Sequence, residues 1–229
     1  MHSQNQITLK DQIWTEKYRP MTIQNLIGLD DKIPQLNAFI QKKSLPHLLL
    51  VGPPGTGKTS TVLCLLHDLF QEYFSSNVEE INANDSRDYI IKFKKKWYEI
   101  ALKEYNRQTS GVPSLNFVFK SIFRNFSMMR TFSDVPFRVL ILKDADSLNM
   151  DIQQALRRTM EKSTRTCRFC LICENLSKII DPIRSRCVIF HFTPIKESDT
   201  AAILRYIVSK EKILINDEGL LALIYLGRG

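Results

Sequence analysis

The chain has 229 residues, 44% of them hydrophobic and 24% charged, with a formal net charge of +8. These proportions predict a globular protein of one large or two small domains with a sizeable core, and the basic excess favours a polyanionic partner, nucleic acid first. The longest apolar run, Leu220 to Leu226, has seven residues, far below the roughly 18 that span a bilayer, so no spanning segment and no membrane partner are expected.

Residues 1–13 read as a loose polar lead-in with no apolar leader. With an odd count of five cysteines, this predicts reduced thiols in a cytosolic or nuclear compartment. In Trp14-Thr15-Glu16-Lys17-Tyr18-Arg19-Pro20 the chain stops at Arg19-Pro20, because a residue before proline is pushed out of the helical region. Asp30 to Gln41 carries Ile33, Leu36 and Ile40 at helical spacing, with Pro34 tolerated in the first turn. His47 to Val51 is a short buried strand. It runs into Gly52-Pro53-Pro54-Gly55-Thr56-Gly57-Lys58-Thr59, which fits G-x-x-x-x-G-K-[ST]. Glycine lets such a loop curl so that several N–H groups face phosphate oxygens. Lys58 reaches the β- and γ-phosphates as a point charge, and Thr59 offers a hydroxyl to Mg²⁺. From Ser60 to Phe70, the residues Val62, Leu65, Leu66, Leu69 and Phe70 share one helical face. A helix dipole therefore turns its positive end to the phosphates. Nucleotide binding is the function this stretch predicts.

Val78 to Ile81 reads as a second strand, followed by Asn82-Ala83-Asn84-Asp85-Ser86-Arg87. Tyr89 to Tyr105 reads as one helix with Ile90, Trp97 and Ala101 on one side and Lys92, Lys94, Lys95 and Lys96 in its first half. Like charges crowded near a helix start oppose the dipole; a solvated face and a phosphate-facing stripe both fit. Six phenylalanines fall between residues 107 and 137: Phe117, Phe119, Phe123, Phe126, Phe132 and Phe137. Phe119, Ile122, Phe123, Phe126 and Met129 share a face opposite Lys120, Arg124 and Asn125, which predicts a helix packed on its own domain. A partner- or lipid-facing helix is the lesser reading.

Phe137 to Leu142 is an apolar strand entering Lys143-Asp144-Ala145-Asp146. Gln153 to Met160 begins a helix, Arg168 to Cys173 is a buried strand, Ile179 to Arg186 is turn-rich, and Val188 to Phe192 is a last strand. Five strands separated by helices predict an α/β fold with a mainly parallel sheet over residues 1–193. Asp199 to Lys210 and Asp217 to Leu226 predict part of a small helical domain over 194–229. Cys167, Cys170 and Cys173 imitate half a metal site. Strand alternation puts Cys170 on the face opposite the other two, so they read as core cysteines. His2, His47, His67 and His191 form no catalytic pattern.

Six of these stretches run in the order of the AAA+ clamp-loader family and most closely resemble its replication factor C small subunits. They are Trp14 to Pro20, Leu45 to Ser60, Asn82 to Asp85, Ala155 to Glu161, Arg168 to Cys173 and Ser185-Arg186-Cys187. The resemblance implies a P-loop AAA+ parallel sheet flanked by helices and followed by a partial helical lid. It implies ATP and Mg²⁺ as cofactors, with Tyr18, Arg19 and Pro20 beside the adenine. Gly52, Pro53, Pro54, Gly55, Thr56, Gly57, Lys58, Thr59 and Ser60 would hold the phosphates, and Thr59 the Mg²⁺. Arg186 would be a catalytic arginine finger acting in trans on the adjacent subunit's nucleotide. Gln154, Arg157 and Arg158 would lie at the same interface. Arg87, Lys92, Lys94, Lys95 and Lys96 would face DNA phosphates, which position a duplex without reading its sequence. The implied partners are other clamp-loader subunits, a sliding clamp and primer–template DNA. The implied setting is nuclear, or cytoplasmic in a prokaryote or virus. A second arginine sensor and a subunit-joining collar would lie beyond Gly229.

Three positions depart from the family pattern. Val139-Leu140-Ile141-Leu142 is followed by Lys143-Asp144, not by Asp-Glu. Lys143 would repel the metal. Asp144, one methylene shorter than the expected glutamate, is left as a candidate base, and a misplacement of ~1 Å costs about 10²-fold. Asp144 or Asp146 could instead be drawn to Mg²⁺. Glu174 stands where an asparagine sensor is expected and would repel the γ-phosphate, while Asn175 points to the other face unless a bulge intervenes. The sequence therefore predicts a subunit that binds ATP and hydrolyses it weakly in its own site. The alternatives are a non-hydrolysing interaction subunit and, ranked last, a small-molecule P-loop kinase.

Overall fold

The computed structural model describes residues 13–107, 109, 111–131 and 134–227. The expected lead-in over 1–12, His2 and Phe132 lie outside them. In chain order the elements begin with α1 (Trp14–Lys17), α2 (Ile33–Gln41), β1 (His47–Val51), α3 (Lys58–Phe70), α4 (Phe74–Asn77) and β2 (Val78–Asn82). There follow α5 (Arg87–Phe93), α6 (Lys95–Asn106), α7 (Leu115–Met128), β3 (Arg138–Lys143), α8 (Met150–Lys162) and β4 (Cys167–Cys173). The last are α9 (Asp181–Arg184), β5 (Cys187–His191), α10 (Glu197–Glu211) and α11 (Asp217–Leu226).

The strands form one sheet in the order β2-β3-β4-β1-β5, every neighbouring pair parallel. A parallel sheet covered on both faces needs strands that are apolar throughout, and all five residues of β1 are buried. Alternation along the strands divides two cores. Leu48, Leu50, Val139 and Ile141 face Leu36 of α2 and Val62, Leu65 and Leu66 of α3. Leu49, Leu140, Leu142 and Phe169 face Phe119, Phe123 and Phe126 of α7 and Ile152, Leu156 and Met160 of α8. The phenylalanine-rich helix is thus packed on its own sheet, as expected. Cys167 and Cys173 lie in the second core and Cys170 in the first. Burial pushes the thiols of Cys167 and Cys173 up to about 12, where they are inert. Among the described residues no helix is long and apolar enough to cross a membrane.

One element differs from its expected form. The single helix read over Tyr89 to Tyr105 is two, α5 and α6, broken at Lys94 (φ −119°, ψ 37°). The break lets the half-buried Lys94 ammonium reach Glu79 on the edge strand β2 at 2.9 Å. The Ser86 hydroxyl caps α5 by accepting the Tyr89 N–H at 3.2 Å.

His47 ties the fold to pH. Its Nδ1 accepts the Phe169 N–H at 3.1 Å. Burial first, then the Arg168 charge, hold its pKa down at about 4, opposed by the Met160 carbonyl. The unfolded chain, with a histidine pKa near 6.5, therefore binds more protons than the folded one between those two values. This contribution is complete above about pH 6.5 and is lost as pH falls toward 4. Lowering pH from 7 to 5 should remove about 2 kcal/mol through this group. The His47→Asn variant, whose amide oxygen can replace Nδ1 as acceptor, should lack that increment. Urea midpoints of the two proteins at both pH values check this; parallel slopes would refute it.

Candidate nucleotide site and subunit edge

The phosphate loop leaves the C-terminal end of β1. The Gly52 N–H donates to the Cys173 carbonyl at 3.3 Å, and the Phe192 N–H donates to the Val51 carbonyl at 2.7 Å. The chain from β5 passes so close that a Cβ on Gly52 would lie 2.3 Å from the Phe192 carbonyl oxygen. Gly57 starts α3 from the left-handed region at φ 85°, which favours glycine. Gly52→Ala should therefore destabilise the protein by roughly 1–3 kcal/mol through overpacking and displace the loop. Lower urea midpoints together with weaker ATP binding would show this; native values for both would contradict it.

Within the loop, the Thr56 hydroxyl donates to the Pro53 carbonyl at 2.8 Å. The buried Lys58 ammonium donates to the carbonyls of Gly52 and Pro53, each at 2.6 Å. Burial lowers the Lys58 pKa, while Glu174, Cys173, Asp144 and Asp146 pull it upward. The residues that the sequence singled out after β3 and β4 thus converge electrostatically on this lysine.

A cavity of about 770 Å³ adjoins the loop, lined by Lys17 to Pro20, Gly55 to Gly57, Ser60, and Ile203, Tyr206 and Ile207 of α10. Ligand clefts span about 300–1,000 Å³, so the size suits a nucleotide, and Tyr18, Arg19 and Pro20, the residues expected beside the base, are part of the lining. The N-terminal segment is pinned in place from both sides. The Cys64 thiol donates to the Pro20 carbonyl at 3.0 Å, and Asp68 accepts the Ile23 N–H at 2.9 Å. From α10, Glu211 accepts the Tyr18 hydroxyl at 2.6 Å and pairs with Lys17 at 2.5 Å. The Tyr206 ring meets Tyr18 edge-on with centroids 6.3 Å apart. Sequence reasoning missed Glu211 and Tyr206; no local motif marks either.

The strand-end acids differ from expectation in one respect. Lys143 does not stand as a free positive charge, because Glu80 on β2 pairs with it at 2.5 Å. Register explains this: Lys143 lies opposite Asn82, and Glu80, two residues earlier, shares that face. Asp144 follows in the left-handed region at φ 50° and accepts the Asn84 amide at 3.2 Å. Asp146 accepts the Asn175 N–H at 3.1 Å. Strand β4 ends at Cys173, so Glu174 and Asn175 lie outside the strand alternation, and Asn175 caps the turn that follows. The Asn175 side chain accepts the N–H and hydroxyl of Ser177 at 2.9 and 2.7 Å. Glu174 is exposed. Among the described residues no three His, Cys, Asp or Glu side chains group as a metal site. Thr59, with Asp144 or Asp146, would offer the hard oxygen donors that Mg²⁺ takes, and the ion would supply charge neutralisation there.

Arg186 lies at the opposite end of the sheet. Cys187 pairs with His47 at the start of β1, whereas the phosphate loop follows Val51 at its end. Four residues at about 3.3 Å each separate them by ~13 Å along the strands. Arg186 pairs with Glu161 of α8 at 2.6 Å and donates to the Pro182 carbonyl at 2.5 Å. Arg157 Nε is 3.9 Å from the same Glu161 carboxylate. Gln154 is half-buried and Arg158 exposed on this helix. Sequence reasoning passed over the neighbouring Gln153, which is buried. Its amide donates to the carbonyls of Leu148 and Lys178 at 2.9 and 3.0 Å and accepts the Ile180 N–H at 3.0 Å. It fixes the turn that carries Arg186; a polar residue beside Ile152 on the apolar face was the available signal. In the expected DNA-facing stripe, Arg87, Lys92, Lys95 and Lys96 are exposed. Lys94 leaves the stripe for Glu79.

The chain is 37% identical over 227 residues to a replication factor C small subunit of Staphylothermus marinus, covering 99% of this chain and 61% of that protein. It is 38% identical over 218 residues to the one from Archaeoglobus fulgidus, covering 95% and 60%. It thus spans about 60% of the length of these relatives. The Thermotoga maritima RuvB Holliday junction branch migration motor shares the fold, with a TM-score of 0.60 at 18% identity over 90% of this chain and 59% of that one. The profile of the ATPase family associated with various cellular activities (AAA) matches residues 48–195, and the chain belongs to that family.

Proposed function

We propose that this chain is an ATP-binding subunit of a clamp loader, which helps place a sliding clamp on primer–template DNA. ATP occupies the cavity between Tyr18, the phosphate loop and α10, and Mg²⁺ supplies charge neutralisation at its phosphates when bound. The observation that carries the reading is the placement of Lys58 and Arg186 at opposite ends of one sheet. A chain that holds its own phosphates at one end and an exposed guanidinium at the other can serve a neighbouring nucleotide, and Arg157, Arg158 and Gln154 lie on the helix beside that end. Similarity to replication factor C small subunits supports the same assembly. Hydrolysis in the chain's own site is weak. Asp144 is bound to Asn84 and short of the expected base, and Glu174 sets a negative charge near Lys58.

The test is assembly with sibling subunits and a sliding clamp, followed by ATP-dependent loading onto primed DNA and nucleotide analysis of the purified complex. Bound ATP and loading are expected. A complex without nucleotide at this subunit, or no assembly at all, would remove the proposal.

A further inference from the structure

We propose that Tyr89 and Phe93 on α5 form a stacking platform for an unpaired base of single-stranded nucleic acid. This rests on the DNA-facing reading of the basic stripe and extends it from phosphate neutralisation to base contact. The helix turns Ile90 into the core, while Tyr89 and Phe93, one turn apart, are 44% and 59% exposed. Their rings touch, with centroids 4.7 Å apart at 38°. The pair is held in place because Ser86 caps the helix beneath Tyr89 and Lys94 anchors its end to Glu79.

The surroundings decide the occupant. The Lys92 ammonium lies 5.1 Å from the Phe93 ring centroid. Arg87, Lys95 and Lys96 are exposed nearby. The nearby acids are already engaged or outnumbered: Glu79 binds Lys94, Glu99 lies 3.8 Å from Lys95, and Asp88 is exposed. An apolar protein partner would bury these cations against grease. A single strand offers each group its match, phosphates to the cations and base faces to the rings. A closed duplex offers only the phosphates, since its bases are stacked on one another.

The experiment measures binding of the full chain to labelled oligo(dT) and to a duplex of equal length over a range of salt. Tyr89→Leu/Phe93→Leu should weaken oligo(dT) binding by about 10-fold or more without changing duplex binding or the salt slope. Lys92→Gln/Lys96→Gln should weaken both ligands and flatten the slope by about 1.5. Separately, Phe93→Trp should be quenched by oligo(dT) and not by duplex, which reads stacking without removing the ring. Native oligo(dT) affinity in the leucine pair, with the lysine effect intact, overturns the platform and leaves the DNA-facing reading standing. Native affinity in both pairs overturns both. Loss of self-association or sibling-subunit binding in the leucine pair, with oligo(dT) affinity unchanged, assigns the rings to a protein contact and also overturns the platform.

Discussion

Lys58→Ala should reduce ATP affinity at least 100-fold, equivalent to about 2.7 kcal/mol, while leaving the sheet folded. The size follows from the lysine's position. Its ammonium is buried, is bonded to two loop carbonyls at 2.6 Å, and lies among Glu174, Asp144 and Asp146. Without it, residues 52–59 carry no charged side chain to offset Glu174, Asp144 and Asp146 when triphosphate enters. The loss therefore combines a missing charge-assisted hydrogen bond, about 1.5–3 kcal/mol, with unshielded repulsion. Lys58→Arg should not restore binding, because a planar guanidinium does not fit where a compact ammonium meets two carbonyls. Titration calorimetry with ATP measures both variants. Affinity within threefold of native for the alanine variant would mean that the loop is not the phosphate site.

The elements read best from sequence were those whose cause is local. β1 is apolar because both its faces are covered, so its run of Leu48, Leu49 and Leu50 marked the strand directly. The helical face from Val62 to Phe70 and the strand alternation of Cys167, Cys170 and Cys173 were legible for the same reason. What sequence could not supply was pairing at a distance. Lys94 breaks a helix to reach Glu79, 15 residues earlier. Glu80 meets Lys143 only through the parallel register of β2 and β3. Tyr18 finds Glu211 across 193 residues, because the last turn of α10 rests on the N-terminal segment. The phosphate loop was therefore readable as a motif, whereas the wall of the cavity beside it and the partner of Lys143 needed the folded chain.

The second large effect concerns Arg186. In an assembled ring, Arg186→Ala should lower hydrolysis at the neighbouring site by roughly 10³-fold or more, as loss of an arginine finger does. Affinity for ATP in the chain's own site should remain native. The geometry separates the two outcomes, since Arg186 precedes the strand end farthest from the phosphate loop. Its pairing with Glu161 at 2.6 Å does not oppose the role. Both side chains are partly exposed, and such a pair stabilises by at most about 1 kcal/mol. A neighbour's triphosphate, with more charge and several oxygens, can draw the guanidinium away. Glu161→Gln removes the competing carboxylate and should leave neighbour hydrolysis undiminished, whereas Arg186→Lys should behave nearly as alanine because an ammonium lacks the bidentate fork. Single-turnover hydrolysis in rings carrying one altered subunit resolves the sites. If Arg186→Ala instead weakened this chain's own ATP binding and spared its neighbour, the residue would act in cis. The ~13 Å between strand start and phosphate loop would then have to be closed by a movement of the sheet, which its two packed cores oppose.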